Sequence, residues 1–117
     1  SVEDRAHSRR INHLRQVNSE ARLISFEPLI GRVGDIDLTD ISWAIVGGES
    51  GPKARPMALD WATELRDICR RDGAEFFFKQ WGGPRPKSGG RELEGVEWNG
   101  FPWSIVPAPI LQRLRVA

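Results

Sequence analysis

The chain has 117 residues, a formal net charge of +1, and 39% hydrophobic and 28% charged residues. These values fit one globular domain with a single modest core and exclude wholesale disorder. They give no field strong enough to demand nucleic acid or an anionic membrane as partner, and no apolar run approaches the roughly 20 residues of a membrane-spanning helix. Cys69 is the one cysteine, so no internal disulfide forms. The charged opening Ser1-Val2-Glu3-Asp4-Arg5 is unlike a signal peptide, and a reducing cytoplasm is the expected location.

In chain order, Ser1-Val2-Glu3 reads as the last residues of a strand, which suggests a fragment of a longer product; processing or tagging is the alternative. Asp4 to Val17 has helical spacing, with Ala6, Arg10, Ile11, Leu14 and Val17 on one stripe, Asp4 as N-cap and Asn18-Ser19 as stop. Arg22 to Glu27 is strand-like and ends at Pro28, which cannot donate to a ladder. Gly31 to Asp40 reads as loop, with a helical turn near Leu38 to Ile41. Ser42 to Val46 is a nearly continuous apolar strand, as expected when both faces are covered. It enters the tight turn Gly47-Gly48-Glu49-Ser50-Gly51-Pro52.

The clearest helix follows, with Asp60 as its cap. Trp61, Leu65, Ile68 and Cys69 lie at i, i+4, i+7 and i+8, and Gly73 sits at the C′ position. Cys69 and Trp61 read as core residues. Glu75 to Trp81 is a third strand, and the strand–helix–strand order implies a parallel βαβ unit. Beyond it come a Gly/Pro/Lys loop from Gly82 to Gly90 and a hairpin over Arg91 to Phe101 with Gly95 and Asn99-Gly100 as turns. A short helix is expected near Ile110-Leu111-Leu114. The fold class is therefore α/β: a partial (β/α) barrel fragment with parallel strands over 1–81, and a loop, small hairpin and tail over 82–117.

In parallel α/β folds ligands bind beyond the carboxyl ends of the strands. Those ends carry Glu3, Glu27, Glu49 and Lys79-Gln80-Trp81. Alternation places Ser25 with Glu27 on one face, and Phe77, Lys79 and Trp81 together on one face. A common interior would bring Glu27 and Lys79 together, either as an acid–base or ligand-holding pair or as a structural ion pair closing the mouth. The candidate catalytic residues are thus Glu27, Glu49 and Lys79. Gly47, Gly48, Ser50, Arg55, Gln80 and Trp81 are candidate ligand contacts, since paired glycines allow close backbone approach and Arg55 can reach a carboxylate or phosphate. The glycine spacing fits neither a Walker loop nor a dinucleotide fingerprint. His7 and His13 have no metal-ligand spacing, and no metal site is expected. Trp98, Phe101 and Trp103 form either an exposed aromatic patch or a satellite core. Arg9, Arg10, Arg15, Arg85, Lys87, Arg113 and Arg115 read as solvated charge.

Ser1-Val2-Glu3, Ile24-Ser25-Phe26-Glu27-Pro28-Leu29, Trp43 through Gly51, Ala54-Arg55-Pro56-Met57 and Phe76 through Gly82 together resemble a phage and prophage protein family of unknown function. Gly90 through Gly95, Trp98 and Phe101-Pro102 fit the same family's ending. That family is similar to radical-SAM enzymes, with spore photoproduct lyase-like proteins as relatives. The resemblance implies that full-length members hold an iron–sulfur cluster through an upstream cysteine run and use S-adenosylmethionine. It also implies that this chain, lacking that run, carries neither cofactor and is inactive alone. Gly48-Glu49 is similar to the loop that binds the methionine amine in such enzymes but falls too late in the barrel order, so the role is not carried over. The expected function is the C-terminal, substrate-side half of such a protein. The alternative is a truncated prophage remnant acting as an interaction or nucleic-acid-associated module. Expected partners are the N-terminal half or a second copy, bound through open strand edges, with no membrane.

Overall fold

The computed structural model describes residues 1–15, 22–85 and 89–102. In order these form a 3-10 turn (Arg5–His7), α1 (Arg10–Arg15), β1 (Leu23–Phe26), β2 (Trp43–Gly47), α2 (Leu59–Asp72), β3 (Glu75–Gln80), β4 (Glu92–Leu93) and β5 (Val96–Glu97). β1, β2 and β3 make a parallel sheet in that order, and β4 pairs with β5 antiparallel. Among the described residues the parallel sheet is open and does not close into a barrel.

β2 is central because it is apolar along its whole length: Trp43, Ala44, Ile45, Val46 and Gly47 are all buried. Its register aligns Ile24, Ala44 and Phe76 in one row and Phe26, Val46 and Phe78 two residues on. These six side chains join Ala62, Leu65, Ile68 and Cys69 of α2 in one core. α2 reaches that core because its apolar residues recur at helical spacing, and it stops where Gly73, at φ 82°, donates its N–H to the Cys69 carbonyl. The opposite face carries Ser25, Ile45 and Phe77 in one row at the intervening positions.

Both outer edges are partly paired. The Val2 N–H donates to Ser25 O at 2.6 Å and the Ile30 N–H to Glu3 O at 3.1 Å, so residues 1–3 run beside β1. At the other edge, Phe78 N–H donates to Trp98 O and Gly100 N–H to Phe76 O, both at 2.9 Å, with Asn99 bridging Phe77 antiparallel. The open β3 edge expected from the sequence is therefore filled by the chain's own later segment.

Several expectations are corrected in detail. The helix expected from Asp4 is divided into the 3-10 turn and α1. Asp4 makes no side-chain cap; its carboxylate lies 2.8 Å from His7 Nδ1, a partner one turn away. His7 is accordingly engaged rather than only solvated. Ala58, not Asp60, is the N-cap of α2, and Asp60 lies in the first turn, where its charge favours the helix N-terminus. Leu38 to Ile41 closes through a single Ile41 N–H to Leu38 O bond of 3.0 Å without becoming a helix. Asn99-Gly100 is no hairpin turn: β4 and β5 turn at Glu94-Gly95, and Asn99 and Gly100 serve β3. A side chain at Gly100 would collide with the Phe76 backbone, which explains the glycine there. Trp98 settles as a satellite of the core, edge-on to Phe76 at 5.8 Å and beneath Arg66 and Arg70. Trp61 is partly buried against the same core. The stop at Asn18-Ser19, Trp103, and the helix near Ile110 lie outside the described residues.

The long β1–β2 connection has no regular helix, yet it is not loose. Leu29, Val33, Leu38 and Ile41 are buried in the core, and the Leu38 N–H donates to Asp72 Oδ2 at 2.8 Å. Arg71 donates to the Ile36 carbonyl at 2.6 Å and pairs with Asp35 and Asp72, whose hydrogen bonds raise its pKa further. The C-terminal turn of α2 thus anchors the crossover. Leu65 is fully buried, and truncation there leaves a cavity in the core. Leu65→Ala should lower the unfolding free energy by about 2–5 kcal/mol in chemical denaturation. Val96→Ala, at an exposed site, should change it by no more than about 0.5 kcal/mol.

Candidate functional site

At the carboxyl ends of the parallel strands, Lys79 Nζ donates to Glu27 Oε1 at 2.9 Å. Glu27 belongs to the end of β1 and Lys79 to β3, so the pair spans the whole width of β2. It can do so because residue 47, between them, is a glycine. A Cβ at Gly47 would lie 3.3 Å from Glu27 Cδ and Oε2. The Glu27 side chain therefore leans across the space where a β2 side chain would stand. Its Oε1 meets Lys79, while Oε2 is buried without a hydrogen-bond partner.

The register of β3 changes at this point. Val46 aligns with Phe78 but Gly47 aligns with Gln80, which leaves Lys79 as an extra residue. Such a bulge breaks the two-residue alternation and re-aims side chains. Lys79 meets Glu27 on the face of Ser25 and Phe77. Trp81, expected on that face, instead packs edge-on against Phe78 of the helix-side core, with ring centroids 5.4 Å apart. Its indole N–H donates to Glu92 O at 2.7 Å. Trp81 thus anchors in the helix-side core and does not share the face of Phe77.

Glu49 is engaged within its own loop. Both of its oxygens are held by Arg55: Oε1 accepts from the Arg55 backbone N–H at 3.0 Å and Nε at 2.9 Å, and Oε2 accepts from Nη2 at 2.8 Å. These side-chain hydrogen bonds first, then the backbone one, hold the Glu49 carboxyl down to about 2. Glu49 and Arg55 thus clasp the two ends of the 49–55 loop and are engaged with each other.

The neighbouring glycines close a backbone ribbon beyond the strands. Gly48 N–H donates to Gln80 O, Gly83 N–H to Glu49 O and Gly51 N–H to Gly83 O, each at 2.9 Å. Cβ atoms at Gly48 or Gly82 would overlap the Trp81 or Glu49 backbone. The Gln80 amide donates to Gly48 O at 3.3 Å and Ser50 Oγ at 3.2 Å, tying the loop from the side. Gly47, Gly48, Ser50 and Gln80 do gather at the mouth, and Gly48 serves close backbone packing. The Gly82-Gly83 start of the following loop is fixed by the same pairing.

Glu3, the first of the strand-end carboxylates read from the sequence, is held by Ser1 Oγ at 2.7 Å and Arg10 Nη1 at 3.2 Å, and one feature at this end, Arg91, escaped the sequence reading. Burial would raise the Glu3 carboxyl, but hydrogen bonds from Ser1 and its own backbone, with Arg10 and His7 nearby, leave it lowered. Arg91 lies over the Phe77 ring at 5.3 Å and pairs with Glu97 and Asn99. No periodicity could have located Arg91, because it follows an irregular loop.

Residues 1–102 match the model of a family described as a protein of unknown function (DUF5131). The chain belongs to that family. The DUF5131 match contains every residue of the mouth just described. No curated protein and no solved structure matches the chain.

Two measurements check this geometry. In an NMR pH titration the Glu49 carboxyl should titrate near 2, well below the ordinary 4.5. A lowered carboxylate stabilises the fold above its unfolded value and loses that contribution as pH falls through its folded value. The clasp should therefore be complete near neutrality and open only in strong acid, and Arg55→Ala should move the midpoint up. Gly48→Ala should cost at least about 1–3 kcal/mol of stability, because the obstructing atoms are backbone and cannot turn away.

Proposed function

We propose that this chain forms the substrate-facing part of a parallel α/β barrel-like protein of the radical-SAM type, and that cluster and cosubstrate are held by residues outside it. The observation that carries the reading is the Glu27–Lys79 pair at the carboxyl ends of parallel strands, the edge where such folds place their ligands. Gly47, Ser50 and Gln80 would frame the ligand, with Glu27 and Lys79 as the acid–base pair. The resemblance to phage proteins similar to radical-SAM enzymes supports the same assignment.

The chain's own residues do not suit an iron–sulfur cluster. Cys69 is the sole thiol and sits in the α2 core at 1% exposure. Burial, with Asp72 and Glu75 nearby, pushes the thiol up to about 12, whereas cluster ligands are thiolates. Among the described residues no group of three or more His, Cys, Asp or Glu side chains is placed to hold a metal ion. No step of the chemistry is therefore assigned to a cluster on this chain.

The alternative of an interaction or nucleic-acid-associated module has less support. It rests on open strand edges, scattered arginines and phage origin, yet the β3 edge is paired internally. Arg10, Arg32, Arg55, Arg66 and Arg71 each face carboxylates. No described helix is long and apolar enough to cross a membrane.

Anaerobic reconstitution with ferrous iron and sulfide tests the reading. This chain should develop no visible charge-transfer band, while a longer relative carrying the upstream cysteine run should develop one. A cluster bound through Cys69, or none on the longer relative, would overturn the proposal.

A further inference from the structure

We infer that Lys79 is an oxyanion receptor, for a carboxylate or phosphate group on the ligand, and that Glu27 is its displaceable stand-in. The inference rests on the reading above only in taking the strand carboxyl ends as the ligand side. It deepens that reading by naming the chemical class of group the mouth accepts.

The two ion pairs at this end of the molecule differ in kind. The Glu49–Arg55 pair uses both carboxylate oxygens and three donors, one of them a backbone N–H, as a structural clasp should. The Glu27–Lys79 pair has one hydrogen bond. Lys79 has three donor hydrogens and uses one of them here. Glu27 Oε2 is sealed from solvent with no donor, so the carboxylate is poorly satisfied where it lies.

The layering points the same way. The Lys79 side chain is 45% exposed and that of Glu27 is 22% exposed, so the cation is the outward member and the carboxylate sits beneath it over Gly47. An arriving oxyanion meets the ammonium first. The bulge in β3 leaves Lys79 as the extra residue, with no ladder partner on β2. Arg91, on the same face over Phe77, adds a second positive group along the approach, and its Nε is buried without a partner. Glu27 thus compensates Lys79 while no ligand is bound, and a ligand oxyanion replaces it.

This arrangement makes a prediction of unusual sign. Removing the internal competitor should improve binding. Inorganic phosphate and acetate would be titrated separately into the folded full chain, with amide shifts of Phe77 to Gln80 followed by two-dimensional NMR at constant ionic strength. The unaltered chain should show saturable shifts with at least one ion. Glu27→Gln should tighten that binding about two- to fivefold, the range an exposed ion pair is worth. Lys79→Met should abolish it. A response confined to phosphate would identify a phosphate-bearing ligand, and one confined to acetate a carboxylate.

Absence of saturable shifts with both ions in the unaltered chain would overturn the inference, whatever the variants do. So would a Glu27→Gln chain that keeps its dispersed spectrum yet binds equally or more weakly, or a Lys79→Met chain that still binds. Because no iron is involved, these outcomes stand apart from the cluster experiment. A cluster-free chain that binds no oxyanion would remove the receptor alone and leave the substrate-facing reading in place.

Discussion

The double pairing of β2 governs the rest of the molecule. Its five residues are buried, it hydrogen-bonds to β1 on one side and β3 on the other, and its register sets which residues of those strands meet across it. From that register follow the helix-side core, the opposite row of Ser25, Ile45 and Phe77, and the meeting of Glu27 with Lys79. The apolar character of the strand drives it inside, since burying such side chains removes their surface from water. Its terminal glycine then changes what the strand can do. A side chain there would separate β1 from β3, and its absence lets them communicate.

The outer elements stabilise this centre by distinct means. α2 covers one face and anchors the β1–β2 crossover through Arg71 and Asp72. The short β4–β5 hairpin contributes fully buried Leu93, and Arg66 of α2 pairs with Glu94 at its turn. Residues 98–100 seal the exposed side of β3, and the Trp43 indole donates to the Gly100 carbonyl at 2.8 Å. A small domain limits its exposed edges in this way, because unpaired strand groups invite association.

Much of this was legible in the residues because the signals were local and redundant. The spacing of Leu65, Ile68 and Cys69 with Gly73 behind them located α2, and the apolar run before Gly47 located β2. The Glu27–Lys79 meeting followed from strand-end positions and alternation. The failures arose where a nonlocal partner outweighed a local preference. Asn99-Gly100 has turn chemistry but was claimed by the β3 edge. Trp81 was misplaced because alternation counts residues, and a bulge adds one without any mark in composition.

That added residue also decides which way the chain faces beyond the strand. Up to Lys79, which meets Glu27 on the face of Phe77, the side chains of β3 follow parity; past it the parity is inverted and Trp81 packs into the core. Exchanging one side chain for another at position 79 keeps this arrangement. Deleting that residue would restore even pairing and leave the indole two positions beyond Phe78, still on the core side with the Glu92 carbonyl, but it would take the ammonium from the mouth. The extra residue is thus one the ladder can lose without turning the hairpin inside out, and what it adds to the strand end is a cation opposite Glu27.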